Sequence, residues 1–391
     1  MTGDFETTHT AVFGGHGAAV DAHPSLAAES VDLVVTSPPY PMIGMWDAAF
    51  AAEDPGIGEA LADGRGPEAF ERMHVILDGV WDACSRLLKP GGLACINVGD
   101  ATRSVNGAFR LYSNHARIIS ACERLGFETL PSVLWRKQTN APTKFMGSGM
   151  LPGGAYVTLE HEYVLILRKG GRRRFTGAER ERRRRSAFFW EERNRWFSDL
   201  WDLKGVAQMM PPSAGAARAR DRTAAFPFEL AHRLILMYSL EQDTVLDPFL
   251  GTGTTTVASI AAGRNSIAAE IDESLRTVVL DTVAAAATRA NDPVMERLAA
   301  HRRFLEERAA AGKPQPTHTS TVYGFPVMTS QETDIRLSIV RQVERPAAGE
   351  TSATRQGPDA EQLRAVHRYL EAADFNGGAS PPEVRGFRSE R

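Results

Sequence analysis

Thr244 to Asp272 read TVLDPFLGTGTTTVASIAAGRNSIAAEID. A short apolar run gives way to a glycine-rich turn, then to a small-residue helix, then to a second apolar run that ends in acids. That spacing is the one a βαβ unit requires. Working outward, VDLVVT at Val31–Thr36 is apolar almost throughout and predicts a strand buried on both faces, stopping abruptly at SPPY. Residues 68–88 predict a helix halted at KPGG, and LACINVGD, Leu93 to Asp100, a second strand opening into a loop. Asn114 to Leu125 predicts a helix closed by Gly126, and SVLW and EYVLILRK, ending at Trp135 and Lys169, predict further strands. FPFELAHRLILMYSL, Phe226 to Leu240, is an apolar-periodic helix, and a helix-rich stretch of Ala, Arg and Glu follows over residues 272–310. Strands alternating with helices predict an α/β sheet.

A length of 391 residues allows two domains, or one large domain with an elaborate insertion. A hydrophobic fraction of 43% is enough for a sizeable core and excludes wholesale disorder. With 45 Lys+Arg against 48 Asp+Glu, the net charge of -3 excludes a diffusely basic nucleic-acid binder. The balance is uneven, however. Residues 168–195 hold eleven Arg and one Lys against four Glu, a net +8, so the rest of the chain carries -11. Cys84, Cys95 and Cys122 form no CxxC pair and suit a reducing compartment. MTGDFETTHT has no basic start followed by an apolar stretch, and no window approaches a membrane span of roughly 18–20 residues. His161 beside Glu162 belongs to no histidine cluster, so no metal is expected. A cytoplasmic protein is the expectation.

Two loops carry chemistry. In DPFLGTGTT, Asp247 to Thr255, the glycines Gly251 and Gly253 let the backbone come close to a ligand, and the following helix start offers free N–H groups. Thr254 and Thr255 stand where Walker A needs a lysine, and Thr256 stands where a dinucleotide fingerprint needs its third glycine. Glu270, 23 residues after Asp247, can accept both hydroxyls of an adenosine ribose. An adenosine ribose without a phosphate lysine points to S-adenosylmethionine, its carboxylate facing the Gly251–Gly253 backbone and its amino group Asp247. In TSPPYPMI, Thr36 to Ile43, consecutive prolines fix the backbone straight after a strand, where open sheets bind ligands. Such a loop presents the Ser37 hydroxyl, the Pro38 carbonyl and the Tyr40 ring together. Oxygen acceptors on the hydrogens of a base's exocyclic amine favour the tetrahedral geometry that frees its lone pair, and an aromatic ring can stack on a flipped base.

VDLVVTSPPYPMI, LLKPGG with INVGD, FPFELAHRLI, DPFLGTGTT and GRNSIAAEID together resemble the amino-methylating DNA methyltransferases. The motif order, catalytic first and cofactor late, resembles their circularly permuted, beta-type arrangement, with target recognition between the two. The SPPY form resembles the cytosine-N4 members, whereas adenine-N6 members more often carry Asp or Asn at the place of Ser37. The likeness covers Val31 to Asp272. It implies a Rossmann-like methyltransferase fold, a mostly parallel sheet flanked by helices, with S-adenosyl-L-methionine as cofactor. It implies double-stranded DNA as substrate and a restriction endonuclease that shares the site. Residue by residue, Ser37, Pro38, Pro39 and Tyr40 match the catalytic loop, and Asp247, Phe249, Gly251, Gly253 and Thr254 the methionine-binding turn. Glu270 matches the ribose acid, and Phe226, Pro227 and Glu229 the segment before the cofactor strand. Where such proteins carry a strand ending in Gly-Asp, this chain reads VFGGHGAAVD, with Asp21 in that role or the adenine contacted differently.

The expected organisation is 1–134 for the catalytic half, 135–225 for target recognition and basic DNA contact, 226–311 for the cofactor half, and 312–391 for an extension of unread role. Arg172, Arg173, Arg174, Arg182, Arg183, Arg184 and Arg185 are expected to neutralise phosphates. A solvated charged helix is the plain alternative. Lys137, Asn140 and Lys144, in a polar loop after a strand, are expected to reach a base edge or a phosphate.

Overall fold

A computed structural model describes residues 5–14, 26–137, 146–205, 226–287, 289–344 and 350–356. The first strand is β1 (Phe5–Phe13), followed by β2 (Val31–Thr36) and the helices α1 (Asp47–Glu53), α2 (Pro55–Ala62) and α3 (Gly66–Leu87). Next come β3 (Leu88–Val98), a hairpin of β4 (Ala101–Val105) and β5 (Ala108–Tyr112), α4 (Asn114–Arg124) and β6 (Phe127–Lys137). A small ladder, β7 (Met146–Gly147) with β8 (Ala155–Tyr156), precedes β9 (His161–Lys169), α5 (Gly177–Arg185), α6 (Trp190–Trp196) and β10 (Leu200–Leu203). The cofactor half is α7 (Phe228–Tyr238), β11 (Thr244–Asp247), α8 (Thr254–Ala262), β12 (Asn265–Glu270), α9 (Arg276–Ala287) and α10 (Asp292–Ala310). The chain then forms β13 (His318–Thr319), β14 (Pro326–Val327), β15 (Ile339–Glu344) and β16 (Glu350–Gln356).

Ten strands make one sheet in the order β10-β6-β9-β3-β2-β11-β12-β1-β16-β15. Its centre, from β3 across β2, β11 and β12 to β1, is parallel. β9 runs antiparallel between β3 and β6, and β16 and β15 extend the far edge antiparallel to β1. β2 precedes β11 by some two hundred residues and yet lies beside it, the non-sequential order expected of a circularly permuted methyltransferase fold.

Every residue of β2 is buried, as a strand covered on both faces must be. Val31 and Val34 join the core beneath α3 and α4, while Leu33 and Val35 join the one beneath α7 and α8. Successive side chains of a strand point to opposite faces over Leu33–Val35, and a register shift between Val31 and Leu33 brings Val31 to the side of Val34. α3 ends at Leu87, just before KPGG, and KPGG itself lies within β3, which begins at Leu88 rather than at the expected Leu93.

β6, which spans the expected boundary at 134/135, and β9 and β10 are strands of the main sheet. The extension past 312 has a packing role among the described residues. Tyr323, Val327, Ile335 and Leu337 form a core with Phe189, Val294 and Leu298. Cys84, Cys95 and Cys122 are buried and form no disulfide. Among the described residues no helix is long and apolar enough to cross a membrane, and no group of His, Cys, Asp and Glu could hold a metal ion.

Candidate active site

Parallel neighbours end at the same edge of a sheet, so the loops after β2 and β11 emerge side by side. The contact is direct: Thr36 Oγ1 donates to Asp247 Oδ1 at 2.6 Å, across 211 residues of sequence. Asp247 also accepts the Phe249 N–H at 3.1 Å, and Thr255 Oγ1 donates to the Val35 carbonyl at 3.3 Å. Burial raises the pKa of the Asp247 carboxyl, while the donors around it pull the other way. Asp247 therefore organises the turn from beneath.

Gly251 and Gly253 adopt φ of +54° and +91°, which an L side chain rarely takes, and Gly253 caps α8. A Cβ on either would meet nothing nearer than 3.5 Å. Gly251 is half-buried and Gly253 buried beside Val279, and the first N–H groups of α8 lack helical acceptors. Glu270, at the end of β12, accepts the Gly251 N–H at 2.7 Å and the Asp272 N–H at 3.0 Å. Its pKa is raised, chiefly by burial. A glycine cradle, a helix N-terminus and a half-buried carboxylate on the same edge suit an amino-acid carboxylate at one end and a ribose at the other. The residues fit S-adenosylmethionine. Thr254 opens α8, and the Phe249 ring lies 6.2 Å from that of Trp81. Phe226 is buried against Leu230 and Leu234, and Pro227 caps α7.

Around the proline loop the geometry is closed. Ser37 is half-buried and its Oγ lies 3.1 Å from the Tyr40 hydroxyl. Pro38 is buried and Pro39 half-buried, whereas Tyr40 is only 7% exposed. The Tyr40 hydroxyl donates to Glu162 Oε2 at 2.9 Å and accepts from Asn97 Nδ2 at 2.8 Å. Asn97 Nδ2 also reaches Glu162 Oε2 at 2.7 Å, and Lys137 Nζ reaches Glu162 Oε1 at 2.9 Å. Burial first, and the Glu162 charge next, hold the Tyr40 phenol well above its ordinary pKa, so it stays a donor. Asn114 Nδ2 donates to the carbonyls of Pro41 and Gly99, at 3.1 and 2.9 Å. Its Oδ1 must then accept from His74 Nε2, 3.0 Å away.

Thr36, Asn97, Asn114 and Glu162 were not singled out from the sequence. Asn97 was in view within INVGD and Glu162 beside His161, but no spacing rule ties Tyr40 to a carboxylate 122 residues away. Lys137 sits at the site edge as the counterion of Glu162. Asn140, Lys144 and Asp21 lie outside the described residues.

The arginine segment follows β9 away from the proline loop. β9 leaves the active-site edge and runs back, with Tyr163 opposite Val98 and Arg168 opposite Leu93, so α5 starts from the other end of the sheet. There Arg173 binds Asp243 at 2.6 Å, Asp32 at 3.3 Å and Glu179 at 3.0 Å. Gly91 allows this close approach, since a Cβ there would stand 2.4 Å from the Arg173 nitrogen. Arg182 donates to the Glu241 carbonyl at 3.0 Å, and Arg185 lies 4.0 Å from the Glu241 carboxylate. Arg172, Arg174, Arg183 and Arg184 are exposed. Arg173 thus stands at the starts of β2 and β11, about 17 Å from Ser37 along β2.

Fold and site together define a methyltransferase that uses S-adenosylmethionine. The model of the DNA methylase family matches residues 31–280, and the chain belongs to that family. It is 50% identical over 315 residues to the Type II methyltransferase M.MthZI of Methanothermobacter thermautotrophicus, covering 80% of this chain and 86% of that one. To the Type II methyltransferase M.MjaI of Methanocaldococcus jannaschii it is 46% identical over 294 residues, covering 72% and 93%. The structure of TTHA0409 from Thermus thermophilus, assigned as a DNA modification methylase and complexed with S-adenosyl-L-methionine, shares 32% identity. It superposes with a TM-score of 0.54, covering 71% of this chain and 94% of that one. The protein is thus a DNA methyltransferase that uses S-adenosylmethionine.

Proposed function

We propose that the protein methylates the N4 amine of cytosine in double-stranded DNA, on a base flipped into the site, as the modification half of a restriction-modification system in the cytoplasm. A cognate endonuclease acts on the same sequence without a stable complex. The observation that carries the base assignment is the serine at the head of the proline loop, and the hydrogen bonds around it bear on how either amine would be held. The Tyr40 proton is committed to Glu162, so the Ser37 proton donates to the Tyr40 oxygen. Both Ser37 lone pairs are then left to accept from an amine. With the Pro38 carbonyl, Ser37 can hold both amine hydrogens and turn the nitrogen lone pair out of conjugation with the ring.

The cofactor supplies an electrophilic methyl group when bound. Asp247, Phe249, Gly251, Gly253, Thr254 and Glu270 would hold it, together with Phe226 and Pro227. Thr36–Asp247 couples that cradle to Ser37, so catalysis rests on positioning without a covalent intermediate. Type II methyltransferases among the relatives support the restriction-modification reading. The test is nucleoside mass spectrometry on DNA from a methylation-free host expressing the protein. N4-methylcytosine is expected. N6-methyladenine would overturn the base assignment, since Ser37 can accept from either amine, and unmodified DNA would leave a DNA-binding regulator.

A further inference from the structure

Two excursions leave the sheet at the active-site edge. The β4–β5 hairpin starts two residues after Gly99, whose missing Cβ leaves room for the Tyr40 ring, at 3.1 Å from its Cε2. It ends just before Asn114, which binds Pro41 and Gly99. The second lies between Lys137 and Glu162, both members of the network that holds Tyr40, and its described part is residues 146–160. Four anchor points thus surround one catalytic loop, and the two excursions meet above it. Phe109 and Tyr156 stack with ring centroids 4.6 Å apart and planes 13° from parallel.

The joined rim is apolar and exposed. Phe109 and Tyr156 are 37% and 49% exposed, and Met150 and Leu151 reach 87% and 69%. Leu111 lies on the same face of β5 as Phe109 and is also exposed. Residues 101–112 contain no acidic residue, and 146–160 contain one, Glu160 at the base. Arg103 is held by Asp47 and Lys137 by Glu162, whereas Arg110 is exposed with no carboxylate partner among the described residues. A rim that is aromatic and aliphatic at the tip, with the Arg110 cation beside it, matches a polyanion whose bases offer flat faces.

We propose that the Phe109–Tyr156 pair and the loops it joins form the surface that takes the DNA duplex and props open the stack beside the flipped base. The β4–β5 hairpin is then part of the DNA interface although it precedes residues 135–225, where target recognition was expected. This rests on DNA as the substrate and is independent of which base is methylated.

The test compares the wild type with Phe109→Ala/Tyr156→Ala, Phe109→Tyr and Arg110→Gln on the DNA the wild type methylates. The double variant is expected to lose affinity about tenfold or more, with an unchanged salt slope and unchanged S-adenosylmethionine binding. Phe109→Tyr keeps a ring and stays near wild type. Arg110→Gln is expected to flatten the salt slope by about one unit. Halogenated-base photocrosslinking of the wild-type complex should mark Tyr156 or its neighbours. DNA affinity of the double variant within about twofold of wild type, or crosslinks confined to residues 170–185, would overturn the proposal. So would a loss that S-adenosylmethionine binding shares, since that reports a collapsed site. A wild type that makes N6-methyladenine breaks the base assignment and leaves this surface intact.

Discussion

The two ends of the central strands differ in how they treat charge. At the starts of β2 and β11, Asp32 and Asp243 are buried and held by Arg173, with Lys89 on Asp32 at 2.8 Å. At their ends, Thr36, Ser37 and Asn97 are uncharged, and the charged members, Asp247 and Glu162, are each saturated by donors. At the arginine-dense end Arg173 matches the buried carboxylates while Arg172, Arg174, Arg183 and Arg184 stay exposed, and the sparsely charged end is where the ligand loops converge. Density of charge along the sequence therefore does not say which charges are spoken for. A charge already matched inside the protein has little left for a ligand.

The largest effect that would break this contrast is at the cofactor turn. Gly253→Val forces a branched side chain into a left-handed position beneath the cradle, and S-adenosylmethionine affinity should fall by about 100-fold or more. Calorimetric titration checks it, and affinity near wild type would remove the turn from the cofactor site. At the opposite end, Arg173→Ala strips a partner from two buried carboxylates and should cost about 3–5 kcal/mol of stability in a urea melt. DNA affinity per folded molecule should not change.

His74 supplies a pH test of the anchor beneath the proline loop. Burial lowers its pKa from 6.5 to about 4, so the unfolded chain binds the proton first as pH falls. Stability should decline as pH drops from 6.5 towards 4, by up to about 3 kcal/mol, and His74→Gln should lose that slope. Glu162→Gln offers Tyr40 a weaker acceptor and should lower kcat about 10-fold with cofactor affinity unchanged. The smallest effect belongs to the exposed arginines. Replacing Arg172, Arg174, Arg183 and Arg184 by Gln should leave DNA affinity within about twofold and the salt slope unaltered. A large uniform loss would restore that segment as a phosphate contact.

Most of the scaffold was readable from local signals. VDLVVT announced a doubly covered strand, KPGG the end of α3, and DPFLGTGTT a turn whose glycines do adopt left-handed φ. β9 and β10 were legible as apolar segments, but not their places in the sheet, because pairing depends on partners distant in sequence. Glu162 was quoted only as the neighbour of His161. Its part in the site follows from β9 lying against β3, which brings it beside Asn97 and Tyr40. The role of residues 318–344 was invisible because their apolar positions are irregular and acquire meaning only against Phe189 and α10.

By itself the sequence determined the α/β class, the two ligand loops and the family. Strand periodicity, proline and glycine conformations and motif order all reside in neighbouring residues. Tertiary structure alone decided which charges remain available and which side chains surround Tyr40. Those outcomes depend on which strand ends share an edge and on how fully each buried ion is paired. The basic segment shows the division plainly: its +8 is written in the sequence, but Asp32, Asp243 and Glu241 decide how much of it faces outward.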